Sequence, residues 1–314
     1  MNLGVVMDPI GSINFKKDSS LSILLEAQSR GHKLFYMEPT SLFLRENGAY
    51  ALAQQIVVKD NPEMWYELSE SIETNLLDLD MILMRQDPPF NSSYIYNTYI
   101  LEVAEKKGVK VINKPSSLRD CNEKVFITQF PQCCTSFLVS SNNVLLKEFI
   151  NAHLDTVIKP LDGMGGSSIF RVRKADPNIS VILENVTEHS ATKVMIQKYI
   201  PEITEGDKRI LLINGDPMGA AIARIPAPGE LRGNLAAGAT AVAKSLTPRD
   251  KWICDQVGPI IRELGLVLVG LDVIGEYLTE INVTSPTCFQ EYMNLCDINV
   301  STVLIDHLEG MISA

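Results

Sequence analysis

Asp272, Glu280 and Asn282 have the types and spacing for hard-metal chemistry. Val267-Leu268-Val269-Gly270-Leu271-Asp272-Val273-Ile274 reads as a buried strand, Gly275-Glu276-Tyr277 as a turn, and Leu278-Thr279-Glu280-Ile281-Asn282-Val283 as the return. Side chains alternate faces along a strand, so Glu280 and Asn282 point the same way, and a tight hairpin sets Asp272 roughly opposite Glu280. Two carboxylates and an amide oxygen form an all-oxygen set. That suits Mg2+, which keeps waters and shares nucleotide phosphates. The competing reading is an exposed polar strand face. The strong apolarity of both strands favours the metal reading over it, because carboxylates amid so much valine and leucine need partners.

Other residues have the chemistry of phosphate binding. Asp162-Gly163-Met164-Gly165-Gly166-Ser167-Ser168 follows the strand-like Val157-Ile158-Lys159-Pro160. Glycines let the backbone approach a phosphate and aim amides at it. The loop is neither a Walker A loop nor a dinucleotide turn, and alone it is explained about as well by a hairpin. Lys159, at the end of the strand, adds a compact charge that can reach a phosphate. Arg209 opens the apolar run Ile210-Leu211-Leu212-Ile213, and Arg224 ends Ala220-Ala221-Ile222-Ala223. Either guanidinium could bind phosphate or carboxylate bidentately, against the commoner surface ion pair. Residues 225–241, rich in glycine and alanine, read as a long loop, and loops of that length tend to be lids or linkers. A lid that excludes water would protect a hydrolysable intermediate.

The elements that position these groups divide in two. Strands over Leu3–Met7, Lys33–Met37, Asp80–Met84 and Val109–Ile112 alternate with helices over Ser19–Arg30 and Tyr94–Lys107. That order predicts a parallel α/β sheet over roughly the first 120 residues, with a weakly patterned stretch up to about Asn75. From Cys121 the texture changes. Asn122-Glu123-Lys124 opens a short helix, and strands at Phe137–Val139, Thr156–Lys159, Ile169–Val172 and Val194–Tyr199 surround a helix over Asn143–His153. From Pro201 strands dominate, with a helix from Pro248 to Leu264.

The bulk properties exclude whole classes. The chain has 314 residues, 46% hydrophobic and 21% charged, enough for real cores and against wholesale disorder. A formal net charge of −10 argues against nucleic acid as a partner. No apolar run approaches a membrane span, and the N-terminus lacks the basic start and apolar stretch of a signal peptide, so cytosol is the expected setting. The six cysteines form no C-x-x-C pair and read as reduced thiols rather than a zinc site.

Together these residues resemble the ATP-grasp fold, and more narrowly the bacterial glutathione synthetase family. The matching blocks are Val6-Met7-Asp8-Pro9-Ile10, Lys16-Lys17-Asp18-Ser19-Ser20, Met84-Arg85-Gln86-Asp87-Pro88-Pro89-Phe90, Asn113-Lys114-Pro115 and Leu118-Arg119-Asp120-Cys121-Asn122-Glu123-Lys124. They continue with Lys159-Pro160-Leu161-Asp162-Gly163-Met164-Gly165-Gly166, Ala223-Arg224-Ile225-Pro226, Arg232-Gly233-Asn234-Leu235-Ala236-Ala237-Gly238 and Thr279-Glu280-Ile281-Asn282-Val283-Thr284-Ser285-Pro286-Thr287. They span nearly the whole chain in the family's order.

The resemblance implies an α/β and α+β architecture in three parts. These are an N-terminal Rossmann-like substrate domain over 1–121, a central ATP-grasp lid over 122–200 and a C-terminal metal-bearing catalytic part over 201–314. It implies that Lys124 and Lys159 contact ATP phosphates under a loop closed by Gly165 and Gly166. Gln197, Lys198, Tyr199 and Ile200 would present backbone to adenine, and Asp207 would face the ribose. Asp272, Glu280 and Asn282 would hold Mg2+ or Mn2+. Arg209, Arg224, Arg232 and Asn234 are the implied catalytic set, the first two meeting the transferred phosphoryl group. Asp18, Ser19 and Arg85 would bind substrate. The implied partners are ATP, γ-glutamylcysteine and glycine, with no nucleic acid or membrane, in a homo-oligomer. Two departures stand out: Ala239-Thr240-Ala241 replaces an expected glycine and basic residue, and Cys133-Cys134-Thr135 replaces a segment that usually contains proline. Two other readings stay open: an ATP-grasp ligase for another acceptor, and a nucleotide-binding regulator without catalysis.

Overall fold

The computed structural model describes residues 1–313 apart from Met164, Leu231, Ala236 and Ala237. Those four belong to the glycine loop and the expected lid, so that part of the expectation lies outside the described residues. The N-terminal strands are β1 (Asn2–Met7), β2 (Lys33–Met37), β3 (Leu42–Arg45), β4 (Gly48–Val58), β5 (Tyr66–Leu68), β6 (Ile72–Asn75), β7 (Met81–Arg85) and β8 (Lys110–Ile112). They form one sheet in the order β3-β4-β2-β1-β7-β8, with β5 and β6 also on β4. Strands β1, β2, β7 and β8 are parallel, as the strand–helix alternation predicts. The helices are α1 (Ser19–Ser29), α2 (Ser92–Glu105) and α3 (Pro115–Asp120). Asp18 caps α1 by accepting the Leu21 amide at 2.6 Å.

The sheet is mixed rather than parallel, because the stretch before Asn75 holds antiparallel strands. The pattern is hidden by small residues. β4 buries Ala49, Ala51 and Ala53 on its core face while Leu52 stays half exposed, so its hydropathy contrast is inverted.

Residues 123–125 form a turn leading into a 3-10 turn at Phe126–Gln129, not a helix opened at Asn122. The central unit follows with β9 (Phe137–Ser140), α4 (Asn143–His153), β10 (Asp155–Pro160), β11 (Phe170–Arg173), α5 (Ile179–Val186) and β12 (Val194–Lys198). Its antiparallel sheet, in the order β11-β10-β12-β9, has a core of its own around Leu146, Ile150, Ile158 and Leu183. Cys133 closes a short 3-10 turn, so the departure there is local.

The C-terminal sheet comprises β13 (Asp207–Ile213), β14 (Asp216–Pro217), β15 (Ala220–Ile225), β16 (Thr240–Ser245), β17 (Leu268–Ile274) and β18 (Tyr277–Asn282). Its order is β16-β15-β13-β17-β18, with β14 on β13. Helix α6 (Pro248–Glu263) starts in a capping box between Thr247 and Asp250. Thr240 and Ala241 pair with Ile225 and Arg224, so the atypical segment is strand where a loop was expected. Helices α7 (Phe289–Cys296) and α8 (Val300–Ser313) were also unexpected, since Val300-Ser301-Thr302-Val303 opens with the β-branched residues that favour strands. Helix α8 returns to α1, where Arg30 binds Asp306 and Glu309. Leu3, Met7 and Leu21 share one buried cluster with Leu211, Phe289 and Tyr292, so the first and last sheets pack as one body.

Candidate active site

Strands β17 and β18 pair antiparallel with Asp272 directly across from Glu280 and Gly270 across from Asn282, as the hairpin reading requires. The partners that Asp272 needs are arginines. Its Oδ1 accepts Arg209 Nε at 2.6 Å, and its Oδ2 accepts Arg209 Nη2 at 3.1 Å and lies 2.8 Å from Arg224 Nη2. Burial alone would push this carboxyl up, but Arg209 and Arg224 outweigh it and hold the group well below the usual carboxylate range. Gly270 makes room for the pair, since a Cβ there would sit 2.9 Å from Arg209 Cδ. Glu280 meets Lys124 Nζ at 3.2 Å through Oε1. Asn282 Nδ2 donates to Gly270 O at 3.2 Å, which turns Oδ1 toward a ligand.

Strand β13 brings Asp207 opposite Arg224 on β15 and Arg209 opposite Asp272 on β17. Arg224 Nη2 contacts Asp207 Oδ2 at 2.5 Å, yet burial pushes the Asp207 carboxyl up against that pull. The Tyr292 hydroxyl accepts the Leu211 amide at 3.0 Å and donates to Ala220 O at 2.8 Å, stitching β13 to β15. Lys124 Nζ donates to Gly163 O at 2.7 Å, and Lys159 Nζ to Thr279 O at 3.4 Å. Burial pushes the Lys159 ammonium down, with Glu280 pulling the other way.

The two loops meet over this floor. Gly166 has φ 75°, and a Cβ there would lie 2.6 Å from Asn234 Oδ1 and 3.0 Å from Arg232 Cδ, so only glycine permits the approach. Beneath them is a cavity of about 390 Å³ between the central and C-terminal sheets. It gathers Arg209, Arg224, Arg232, Asn234, Lys124, Lys159, Gly165, Gly166, Gln197, Lys198, Tyr199, Ile200, Asp207, Asp272, Glu280 and Asn282. At the expected adenine end, Lys198 N and Tyr199 N already donate to Ser136 O and Asp155 O. The Arg171 guanidinium lies over the Tyr199 ring at 3.5 Å. Among the described residues, Gln197 Nε2 and Asp207 Oδ1 are buried without a partner, a donor and an acceptor that a nucleotide could satisfy.

Asp18, Ser19 and Arg85 stand behind the cavity rather than on its wall. Ser19 Oγ accepts the Phe289 amide at 3.4 Å, and Arg85 donates to Ser20 Oγ and to Pro286 O, both at 3.0 Å. Sequence reasoning gave no role to Glu123, Asp87, Thr284, Ser285, Thr287 or Cys288, all of which line the cavity. The first five lie in the blocks that match the family, which was the available signal. Among the described residues no three His, Cys, Asp or Glu side chains form a metal cluster; the hairpin set has two such side chains and an amide. Its donors fit a hard cation all the same: the Glu280 carboxylate and Asn282 Oδ1 face the same way, with Asp272 between them and the arginines. Among the described residues no helix is long and apolar enough to cross a membrane.

Two family profiles match the chain. "Prokaryotic glutathione synthetase, N-terminal domain" covers residues 1–119, and "Prokaryotic glutathione synthetase, ATP-grasp domain" covers 123–297. A glutathione synthetase of Pseudomonas aeruginosa is 53% identical over 314 residues, covering 100% of this chain and 99% of that protein. One of Escherichia coli is 50% identical over 310 residues, covering 99% and 98%. Among solved structures, D-cycloserine synthetase DcsG superposes with a TM-score of 0.70 at 12% identity, covering 99% of this chain and 100% of that one. The ATP-grasp ligase PsnB, solved with minimal precursor, Mg and ADP, gives 0.62 at 14% identity, covering 99% and 98%. At that identity the structural likeness shows the ATP-grasp fold alone.

Proposed function

The chain belongs to the prokaryotic glutathione synthetase family, and from that premise we propose that it joins γ-glutamylcysteine to glycine through an acyl phosphate. It is an ATP-dependent carboxylate–amine ligase. The cysteinyl carboxylate attacks the ATP γ-phosphorus and ADP leaves; the glycine amine then attacks the acyl carbonyl, and phosphate leaves with one former carboxylate oxygen. The observation that carries this reading is the single cavity that holds Lys124, Lys159, Arg209 and Arg224 against Asp272, Glu280 and Asn282.

The first step needs charge neutralisation and alignment rather than a protein nucleophile. Lys124 and Lys159 bind the phosphates from below the glycine loop, and Arg209 and Arg224 hold the phosphoryl group in flight. Arg232 and Asn234 close the cavity against water. Gln197, Lys198, Tyr199 and Ile200 take the adenine, and Asp207 the ribose side. The substrate end assigned to Asp18, Ser19 and Arg85 is reached past Asp87, which lines the cavity and whose amide donates to Asp8 Oδ2 at 2.8 Å. The seven lysines and arginines that line the cavity exceed its five carboxylates by two charges, short of the roughly four negative charges of ATP. Asp272, Glu280 and Asn282 would hold Mg2+, or Mn2+ in its place, and the ion would supply the missing positive charge.

The proposed division at 121 is supported by profiles that end at 119 and resume at 123, and the one at 200 by the central sheet, whose last strand ends at Lys198. The proposed form is a cytoplasmic homo-oligomer. The test is ADP release by the purified chain with each reactant omitted in turn. Release should require γ-glutamylcysteine, glycine and Mg2+ together; release that ignores either amino-acid substrate overturns the assignment.

A further inference from the structure

Glu123 lines the cavity and has no part in the roles above. Its surroundings are specific. Oε1 accepts the Val283 amide at 2.8 Å, the Thr284 amide at 3.0 Å and the Thr284 hydroxyl at 2.8 Å. Its main-chain oxygen accepts the Ile281 amide at 2.9 Å. The next residue, Lys124, contacts Glu280 through Nζ. Adjacent residues thus touch the chain on both sides of Asn282.

The reason lies in the backbone. β18 ends at Asn282, and the Val283 and Thr284 amides need acceptors once the ladder stops. Glu123 supplies both with one oxygen and so fixes the path by which the chain leaves the hairpin. The Val283 carbonyl is held separately, by Asn113 Nδ2 at 2.7 Å; without Glu123 the Val283 and Thr284 amides lose their acceptor, and Asn282 can shift with them.

We propose that Glu123 is a positioning residue for the nucleotide–metal site, locking the outgoing end of β18, and with it the oxygens of Glu280 and Asn282, against Lys124. This rests on the reading of the hairpin as the Mg2+ site. Outer partners of metal ligands change metal affinity about 10- to 100-fold when removed.

The test compares Glu123→Ala with Glu123→Gln by calorimetric titration of Mg·ADP, beside KM for ATP and kcat. The main-chain bond to Ile281 survives both substitutions, and thermal unfolding checks the fold. Glu123→Ala should bind Mg·ADP about 10- to 100-fold more weakly, with KM for ATP rising in parallel. Glu123→Gln keeps an acceptor oxygen in place and should recover to within about threefold of the parent, since a neutral acceptor is roughly half as strong as a charged one. Parent-like Mg·ADP binding by Glu123→Ala overturns the proposal, whether or not its melting temperature falls. So does a Gln variant as inactive as the Ala variant with nucleotide binding intact, which would mark Glu123 as a proton acceptor. Binding of Mg·ADP is read without turnover, so it stands apart from any failure of the glutathione assignment.

Discussion

Replacing Asp272 with Asn tests the charge balance on which the site is built. Asp272 is 5% exposed, and its carboxylate is shared by Arg209, also 5% exposed, and Arg224, 4% exposed. Asparagine keeps one acceptor oxygen but no charge, leaving two buried guanidiniums with Asp207 alone. Breaking a buried ion pair from one side costs about 3–5 kcal/mol; the retained oxygen puts this case near ~3 kcal/mol. That is about 150-fold in the folding equilibrium and, at roughly 2.1 cal/mol/K of unfolding entropy per residue, about 5 °C in melting temperature for a chain of this length. The pH dependence has a definite sign. The folded carboxyl titrates below its unfolded value of about 3.9, so its stabilisation is fully present above that pH and is lost as pH falls through the folded value. Asp207, pushed up to about 6 by burial and in part by Asp272, also titrates on the way down and sits lower in the variant, so the comparison is read below pH 4. There, differential scanning calorimetry of the parent and Asp272→Asn should show a gap that narrows as pH falls. Equal melting temperatures at pH 7, or a gap that widens below pH 4, would refute the reasoning.

Glu280→Gln should nearly abolish ADP release while thermal unfolding stays close to the parent's; activity at ordinary Mg2+ would remove Glu280 from the metal site. Arg224→Ala should slow acyl-phosphate formation in single-turnover experiments more than it weakens ATP binding by calorimetry, and equal losses would count against its place on the phosphoryl group. Treatment with a chelator should stop ADP release, and added Mg2+ should restore it; turnover that persists without divalent ions would contradict the charge argument.

The hairpin was legible in the sequence because alternation along a strand places Glu280 and Asn282 on one face. Its register was legible only in outcome: Tyr277 is already strand and pairs with Ile274, and a bulge next to Asp272 brings it opposite Glu280 instead of Thr279. What lay beyond was long range. That Arg209 and Arg224 clamp Asp272 depends on β13 pairing with both β15 and β17, which no local pattern encodes. The strands before Asn75 were missed because alanines fill their core face, and α8 because its first turn is β-branched. Glu123 sat beside a lysine of assigned role, but its work is a hydrogen-bonded contact with residues about 160 positions away.

The central claim is that this cavity phosphorylates a carboxylate. It is tested most directly with γ-glutamylcysteine carrying 18O in its cysteinyl carboxylate. With ATP, Mg2+ and glycine, each turnover should deliver one labelled oxygen to inorganic phosphate and leave the other in the new amide. Unlabelled phosphate released in step with peptide formation would contradict it.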